Sequence, residues 1–580
     1  MTQFPVEHKT LTRSLSRPSL FNPRALIALL FGSALLWSLL QAGVFGRELI
    51  NEGGWPLAWR FISASVRPDL STDLLRVTWQ AMLQTLAFAV CGTLLSVVLG
   101  IVGGVLSTEI WWQSVRGQRS QRWRWLLPFA LPWLSVRGVL AVPRAIHEVI
   151  WGLFFVNILG LDPLVAVLAI AIPFGAITAK VFAEIIDETP QDAFHALHST
   201  GTPPFKALMY SLLPQAFPDL LSYAFYRLEC AIRAAAVMGL IGAGGLGFQI
   251  LLSLQSLQYG QMWTFLYALI MLTGATDLWS SFLRRRLKLV SRIDINAGQL
   301  NRPNKWSYHS DPVARYSLLL SVLLIPLSFW YVQADLSRLV APRTFRLLAD
   351  VVRDSFPPRL EPELLTELWR LSAQTLSMSI LAMTFAGFGG LLLALPAANN
   401  FVLPGGIFDA GARPWQQVLG SACVLLITRG LLLVTRAISE PIWALIALLI
   451  LFPGILPGAI GLGIYNLGIL GRLMAEVTEN VDNQPLRALK AQGASGLQTF
   501  LYGVLPTTLP RCLAYILYRW EVCIRATVIV GLVGAGGLGR LLTEQLSSFD
   551  YRGVVTTLLF FIGLTFIVDL ISTLVRRTIR

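Results

Sequence analysis

The sequence predicts an all-α polytopic membrane protein made of two tandem copies of one module. Three observations predict it. The chain is 55% hydrophobic and only 13% charged, with a mean hydropathy of +0.63, whereas a soluble chain carries roughly 25% charged residues. Continuous apolar runs recur at about the 20-residue length that crosses hydrocarbon as a helix. The hexapeptide Gly-Ala-Gly-Gly-Leu-Gly stands at Gly242–Gly247 and again at Gly534–Gly539, 292 residues later. One period of about half the chain means internal duplication.

The elements follow in order. Residues 1–24 form a polar tail, and Ala25–Phe45 is the first span. No small-residue cleavage site follows that run, so it reads as an uncleaved anchor. Met82–Leu106 is the second span. Trp125–Gly160 is apolar but interrupted by Pro128, Pro132 and Pro143, which predicts a re-entrant or cytoplasm-side piece leading into one span. Leu164–Phe182, Ala216–Leu240 and Met262–Trp279 complete six spans, with an amphipathic stretch Glu184–Pro214 outside the membrane. A basic linker, 284–314, joins the halves. The second half repeats the order with Tyr316–Tyr331, Thr375–Ala397, Val418–Leu451, Ile455–Leu473, Leu513–Val533 and Val554–Leu574, and with the polar stretch Glu476–Pro506. The expected domains are therefore a module at 25–283 with its core at 75–280, and a module at 315–580 with its core at 365–575. Continuous apolar runs, not ten-residue alternation, exclude a barrel.

The net charge is +14, and basic residues cluster in short segments between apolar runs: Arg116, Arg119, Arg122 and Arg124; Arg284–Arg286, Lys288, Arg292, Arg302 and Lys305; and Arg576, Arg577 and Arg580. This is the positive-inside pattern, not a nucleic-acid stripe, and it places both termini and the linker in the cytoplasm. The five cysteines, Cys91, Cys230, Cys423, Cys512 and Cys523, form no Cys-x-x-Cys pair and read as small buried hydrophobes. The five histidines show no metal-ligand spacing.

Each polar stretch carries a repeated pattern. The first reads Ala196-Leu-His-Ser-Thr-Gly201 and ends thirteen residues later at Pro214; the second reads Ala488-Leu-Lys-Ala-Gln-Gly493 and ends at Pro506. Gly permits a tight turn between two short helices, and Pro is expected to stop the second. The pattern resembles the cytoplasmic loop of ABC-importer permeases. The resemblance implies that Ala196, Gly201, Pro214, Ala488, Gly493 and Pro506 belong to coupling loops that dock on an ATPase. His195 and Arg487 depart from the family, which has Glu there, so an acidic contact to the ATPase is missing from both loops.

The glycine run satisfies G-x-G-x-x-G, but an apolar run precedes it and no acid lies near residue 267, so it is no dinucleotide site. Gly242, Gly244, Gly245, Gly247, Gly534, Gly536, Gly537 and Gly539 instead suit close helix packing or a helix break. Before each run stand Tyr226-Arg-Leu-Glu-Cys-Ala-Ile-Arg233 and Tyr518-Arg-Trp-Glu-Val-Cys-Ile-Arg525. Earlier still, Arg144-Ala-Ile-His-Glu148 and Arg436-Ala-Ile-Ser-Glu440 each lead into Ile-Trp. Together these resemble permeases of the phosphonate ABC-transporter family, over about residues 75–280 and 365–575. The resemblance implies two type I (MetI-like) permease modules of about six helices each, fused in one chain.

Ionisable groups inside spans cost at least about 2.5–3.5 kcal/mol each at mid-bilayer, so they need partners, a cavity or an interface. Glu229 and Arg233 are four apart, as are Glu521 and Arg525, Arg144 and Glu148, and Arg436 and Glu440; on a helix each pair can meet. Arg137 and Arg144, like Arg429 and Arg436, share a helical face. Two readings stand: structural ion pairs with snorkelling arginines, or a path whose cations balance an anionic cargo, since guanidinium binds phosphonate oxygens in a bidentate manner.

No G-x-x-x-x-G-K-[ST] motif occurs, so no step of ATP hydrolysis is expected in this chain. The resemblance implies partners instead: two copies of a cytoplasmic ATPase, which carry ATP and Mg, and a periplasmic or lipid-anchored substrate-binding protein. No cofactor or metal is expected here. The expected function is an ATP-driven importer permease of the bacterial inner membrane for phosphonates or related phosphorus oxyanions. Another solute such as phosphite, methionine or an osmolyte is the alternative cargo. An ion-coupled carrier or channel would not need coupling loops, and a membrane enzyme would want a cluster of acids, histidines or metal ligands.

Overall fold

A computed structural model describes residues 23–46, 48–115, 127–286, 312–402 and 415–579. The tail, the Arg116–Arg124 cluster, Lys288, Arg292, Arg302, Lys305, Arg580 and nearly all of the linker fall outside the described residues, and with them most of the charge that orients the chain.

The first half contains α1 (Pro23–Gln41), α2 (Trp55–Ala64), α3 (Thr72–Ser107), α4 (Glu109–Val115), α5 (Leu127–Ala145), α6 (Glu148–Leu159), α7 (Pro163–Glu188), α8 (Asp192–Ser199), α9 (Pro204–Ala207), α10 (Leu213–Leu240), α11 (Gly245–Gln255) and α12 (Tyr259–Arg286). The second contains α13 (Pro312–Val332), α14 (Pro342–Asp354), α15 (Pro362–Ala397), α16 (Asn399–Val402), α17 (Trp415–Ala437), α18 (Glu440–Ala447), α19 (Ile455–Glu479), α20 (Asn483–Ala491), α21 (Gly496–Thr499), α22 (Leu505–Leu532), α23 (Gly537–Ser547) and α24 (Tyr551–Ile579). The two lists correspond helix for helix.

Among the described residues, eight helices are long and apolar enough to cross a membrane: α3, α7, α12, α13, α15, α17, α19 and α24. Three pairs qualify only as bent units: α5 with α6 at 86°, α10 with α11 at 42°, and α22 with α23 at 50°. The apolar part of α1 is shorter, Leu29–Gln41. Counting each bent pair as one, the described residues give the second half six crossing elements and the first half five, with the shorter α1 at the place of the sixth. The interrupted Trp125–Gly160 run is the α5–α6 pair: α5 carries Pro132 and Pro143 within it, and the chain turns sharply at Ile146-His147.

The spine of each half is the long first core helix packed on the fourth crossing element, α3 on α7 and α15 on α19. One buried cluster runs through both halves, including Phe88 and Met238 from one and Met378 and Ile524 from the other. The first crossing helices are exchanged. α1 packs on α15, and its Phe31 ring lies 6.4 Å from that of Trp520 on α22. α13 packs on α3, where the Tyr331 hydroxyl donates to the Gln80 carbonyl at 3.3 Å. By packing, each first helix therefore belongs with the other module's core. Two further ties cross between the halves: the Asn51 amide donates to the Ile450 carbonyl at 2.8 Å, and Arg338 pairs with Asp162.

The proline expectation fails in both polar stretches. Pro214 and Pro506 do not stop a helix; each follows a π-helical turn, Leu208–Leu212 or Phe500–Val504, and lies in the first turn of α10 or α22. A wider turn re-registers the hydrogen bonds where proline lacks its N–H. Three cysteines, Cys91, Cys512 and Cys523, are buried as expected, but Cys230 is half-buried and Cys423 is exposed on α17.

Candidate functional site

The site is built around the two helix breaks. At Gly242, Gly244 and Gly245 φ is +92°, +95° and +77°, and at Gly534, Gly536 and Gly537 it is +96°, +81° and +73°. Side chains other than Gly rarely adopt such values, so the run ends α10 or α22 and restarts the chain as α11 or α23. The restarted amides are capped from the neighbouring spine. The Gly245 amide donates to Gln84 Oε1 at 3.0 Å and the Leu246 amide to Thr85 Oγ1 at 2.9 Å; in the second half the Leu538 amide donates to Thr375 Oγ1 at 2.9 Å. Gly247 and Gly539 lie against the backbone carbonyls of Ala236 and Val528, leaving no room for a side chain. The glycines therefore both break and pack the helices.

The last turns before the breaks carry the repeated cations. Arg227 is 7% exposed; its Nε donates to the Tyr223 hydroxyl at 3.0 Å, and its guanidinium lies 4.8 Å over the Phe174 ring. Its mate, Arg519, donates from Nε and Nη2 to Asn466 Oδ1 at 3.0 and 2.6 Å. Arg233 donates to Cys230 Sγ at 3.4 Å. Arg525 donates to the Glu521 carbonyl at 3.2 Å and reaches across the halves to the Arg144 carbonyl at 3.3 Å. The hydrogen bonds of all four guanidiniums go to neutral acceptors, while carboxylates stand within electrostatic reach: Glu148 of Arg227 and Arg525, Glu229 of Arg233, and Glu440 of Arg519. Equivalent residues meet at the seam: Tyr226 interacts electrostatically with Tyr518, and Glu148 with Glu440. Tyr465 of the second half lies within electrostatic reach of Arg233.

Several expected pairings are not made. Glu521 does not pair with Arg525; its carboxylate pairs with Arg576 on α24 at 2.6 Å. Arg144 does not meet Glu148, nor Arg436 Glu440, because a helix break falls between the members of each pair. Glu148 lies instead 3.0 Å from His147 Nδ1, and Arg436 pairs with Asp277 on α12. Glu229 is buried beside Arg233 and interacts with it electrostatically, but among the described residues the two form no ion pair. Arg137 and Arg429 cap the spine helices: Arg137 donates to the Ser107 carbonyl at 3.2 and 3.1 Å, and Arg429 to the Ala397 carbonyl at 2.9 Å and to Glu479 at 2.6 Å. Arg144, Glu148, Arg233, Glu440 and Arg525 are brought to the seam; Arg137 and Arg429 are not.

Sequence reasoning missed Arg227, Arg519, Tyr226 and Tyr518 as site residues, although their repetition in the Tyr-Arg-x-Glu element signalled them. It also missed Phe174, Asn466, Tyr465 and His147. Phe174 and Asn466 occupy matching places in the two halves, so a search for repeated polar residues passes over them.

At the far end of the spines lie the two polar loops. α8 is anchored by Phe194, 1% exposed, and α20 by Leu486, 4% exposed. Ala196 and Ala488 are exposed on the opposite faces, next to His195 and Arg487. Gly201 and Gly493 turn the chain with φ of +87° and +85°. Tyr210 and Tyr502 on the π turns are 78% and 75% exposed. Each half therefore presents a short anchored helix and a protruding aromatic side by side.

Residues 125–289 and 390–580 match the family described as binding-protein-dependent transport system inner membrane component. The phosphate-import permease protein PhnE of Mycolicibacterium smegmatis is 28% identical over 73% of this chain and 74% of its own length. The phosphite transport system permease protein PtxC of Stutzerimonas stutzeri is 29% identical over 45% of this chain and 88% of its own. A putative cryptic phosphonate transport system permease protein, PhnE2 of Escherichia coli, is 34% identical over 20% of this chain and 97% of its own. Two matched segments cover more than half of a chain whose two halves repeat one helical plan, and the chain belongs to this family as a multi-pass inner-membrane permease of an ABC importer, working with separate ATPase and substrate-binding components.

Proposed function

We propose that this chain is a permease of an importer for phosphorus oxyanions, with one of its two modules on each side of a central path. The observation that carries the cargo is the set Arg227, Arg233, Arg519 and Arg525, which sit on a hydroxyl, a thiol, an amide and backbone carbonyls. A guanidinium whose hydrogen bonds go to neutral acceptors, with carboxylates near but not bonded to it, keeps more attraction for an anion than one locked in an ion pair. Guanidinium groups match the oxygens of a phosphorus oxyanion. The names of the relatives, which cover phosphate, phosphite and phosphonate, support the same class.

In this reading the α8 and α20 loops receive two ATPase copies, which bind ATP and Mg, and a periplasmic or lipid-anchored binding protein delivers cargo to the other side. Both termini face the cytoplasm. Closure of the ATPase pair draws the loops together, and the halves rock about the path. The chain itself makes and breaks no covalent bond.

The test is uptake of labelled phosphonate, phosphite and phosphate in a strain lacking this chain and every redundant system, with each compound offered as sole phosphorus source. Loss of uptake of one or more of them, restored by the intact gene, supports the reading and names the cargo. Normal uptake of all three overturns it and moves the search to methionine and osmolytes.

A further inference from the structure

The two halves also meet through a second, lateral set of charges, and there they are not equivalent. Asp277 on α12 of the first half accepts from both Arg436 on α17 and Arg472 on α19 of the second, the latter at 2.9 Å. Arg472 is further held by Glu476 at 2.9 Å. Helices α12 and α17 pack together here. The same places in the opposite assignment of halves are Asp569 on α24, Arg144 on α5 and Lys180 on α7. So each seam carries one aspartate and two cations at equivalent places.

The second set is not closed. Among the described residues, Asp569 forms no ion pair with Arg144 or Lys180, and α24 packs on α5 less than α12 does on α17. Lys180 is attracted to Asp569, Glu521 and Glu184 and repelled by Arg144, and among the described residues it forms an ion pair with none of the three carboxylates. Asp569 lies beside Glu521, whose carboxylate is held by Arg576. The parts of the clasp are present and near one another.

Both sets lie toward the coupling-loop end of the spines, because Lys180 and Arg472 are in the last third of α7 and α19, which run into those loops. Six ionisable residues there, at pseudo-equivalent places, are unfavourable as lipid-facing decoration. Packed interfaces switch between discrete arrangements, and an ion pair across a seam biases such a switch. We propose that Asp277, Arg436 and Arg472 form an ionic clasp that holds one seam closed on the coupling-loop side of the path, and that Asp569, Arg144 and Lys180 form its mate, which closes when the ATPase subunits close. With both clasps made, the path is sealed toward the ATPases; with the second open, it is not. The six residues are positioning residues for transport, not cargo ligands. The inference rests on the alternating-access reading above but not on the identity of the cargo.

The test uses the full transporter with its ATPase subunits, in nanodiscs, with the native cysteines replaced. Asp569→Cys with Arg144→Cys reports the second seam and Asp277→Cys with Arg436→Cys the first, each by disulfide formation at rest and after trapping with ATP and vanadate. The expected result is a severalfold rise at the second seam on trapping, with the first cross-linked in both states. Equal cross-linking of the second seam in both states overturns the proposal. Because cysteine removes the charges themselves, the exchanged pair Asp569→Arg with Arg144→Asp is measured beside Asp569→Asn. Restored transport in the exchanged pair, against a tenfold or greater loss in Asp569→Asn, supports the clasp; normal transport in Asp569→Asn overturns it. A vanadate-dependent cross-link in a transporter that moves no phosphorus compound leaves the clasp standing and removes only the cargo assignment.

Discussion

Arg519 and Asn466 form a two-pronged contact within the second half: Nε and Nη2 both reach Oδ1, at 3.0 and 2.6 Å. The amide fixes the guanidinium without cancelling its charge. Asn466 itself is buried, and its own amide nitrogen donates to the Leu462 carbonyl at 2.8 Å. Asn466→Leu removes the acceptor while keeping the volume. A hydrogen bond to a charged group contributes about 1.5–3 kcal/mol, so uptake is expected to fall about tenfold or more with the protein still present in the membrane. Unchanged uptake would show that Arg519 needs no such orientation.

Arg227 rests on an aromatic face instead of an amide. Phe174→Leu removes the cation–π contact, which contributes about 0.5–2 kcal/mol, and leaves the Tyr223 hydroxyl bond in place. The expected loss of uptake is smaller than for Asn466→Leu, severalfold at most. A larger loss in Phe174→Leu would reverse the order of the two arginines in holding cargo. Both effects are read as transport rates in vesicles at equal protein levels.

Gly247→Ala and Gly539→Ala are expected to prevent correct assembly. At Gly539 an added methyl would stand 2.5 Å from the Val528 carbonyl oxygen, and at Gly247 it would overlap that of Ala236. Gly138→Ala and Gly420→Ala add a methyl with nothing within 4 Å and should be neutral. Thermal unfolding of the purified protein in detergent distinguishes the sets; equal stability of all four would contradict the close packing of the broken helices.

Phe194 and Leu486 anchor the two polar-loop helices. Phe194→Ala opens a cavity worth about 3–5 kcal/mol and Leu486→Ala one of about 2–5 kcal/mol. The expected outcome is reduced co-purification of the ATPase and weaker cargo-stimulated ATP hydrolysis, with cargo binding retained. Arg487→Glu, on the exposed face, is expected to alter ATPase affinity without altering stability. Full coupling in both anchor variants would remove α8 and α20 from the docking surface.

Duplication made much of the architecture legible. A repeated residue marks a place that both halves need, and this located the breaks, the loops and five of the seam residues. It misled where sequence spacing was taken as helical spacing: Arg144 and Glu148 are four apart, yet the chain turns by 86° between their helices. Nor could spacing assign Arg137, whose partner, the Ser107 carbonyl, belongs to another helix. Residues that differ between the halves, such as Phe174 and Asn466 or His147 and Ser439, carry the asymmetry of the site and are invisible to a period. Tertiary contact alone identifies them.

The exchanged first helices set an order of events during synthesis. Phe31 enters the bilayer near the start, but its ring partner Trp520 emerges almost five hundred residues later. At roughly 5–20 residues per second that delay is about half a minute to a minute and a half. Until α15 emerges, the face of α1 meant for it has only lipid, or an insertion factor, to lie against, and the place of Trp520 stays empty longer still. A nascent chain arrested before α15 is therefore a species with an unfilled berth, and membrane quality control has a long interval in which to find it.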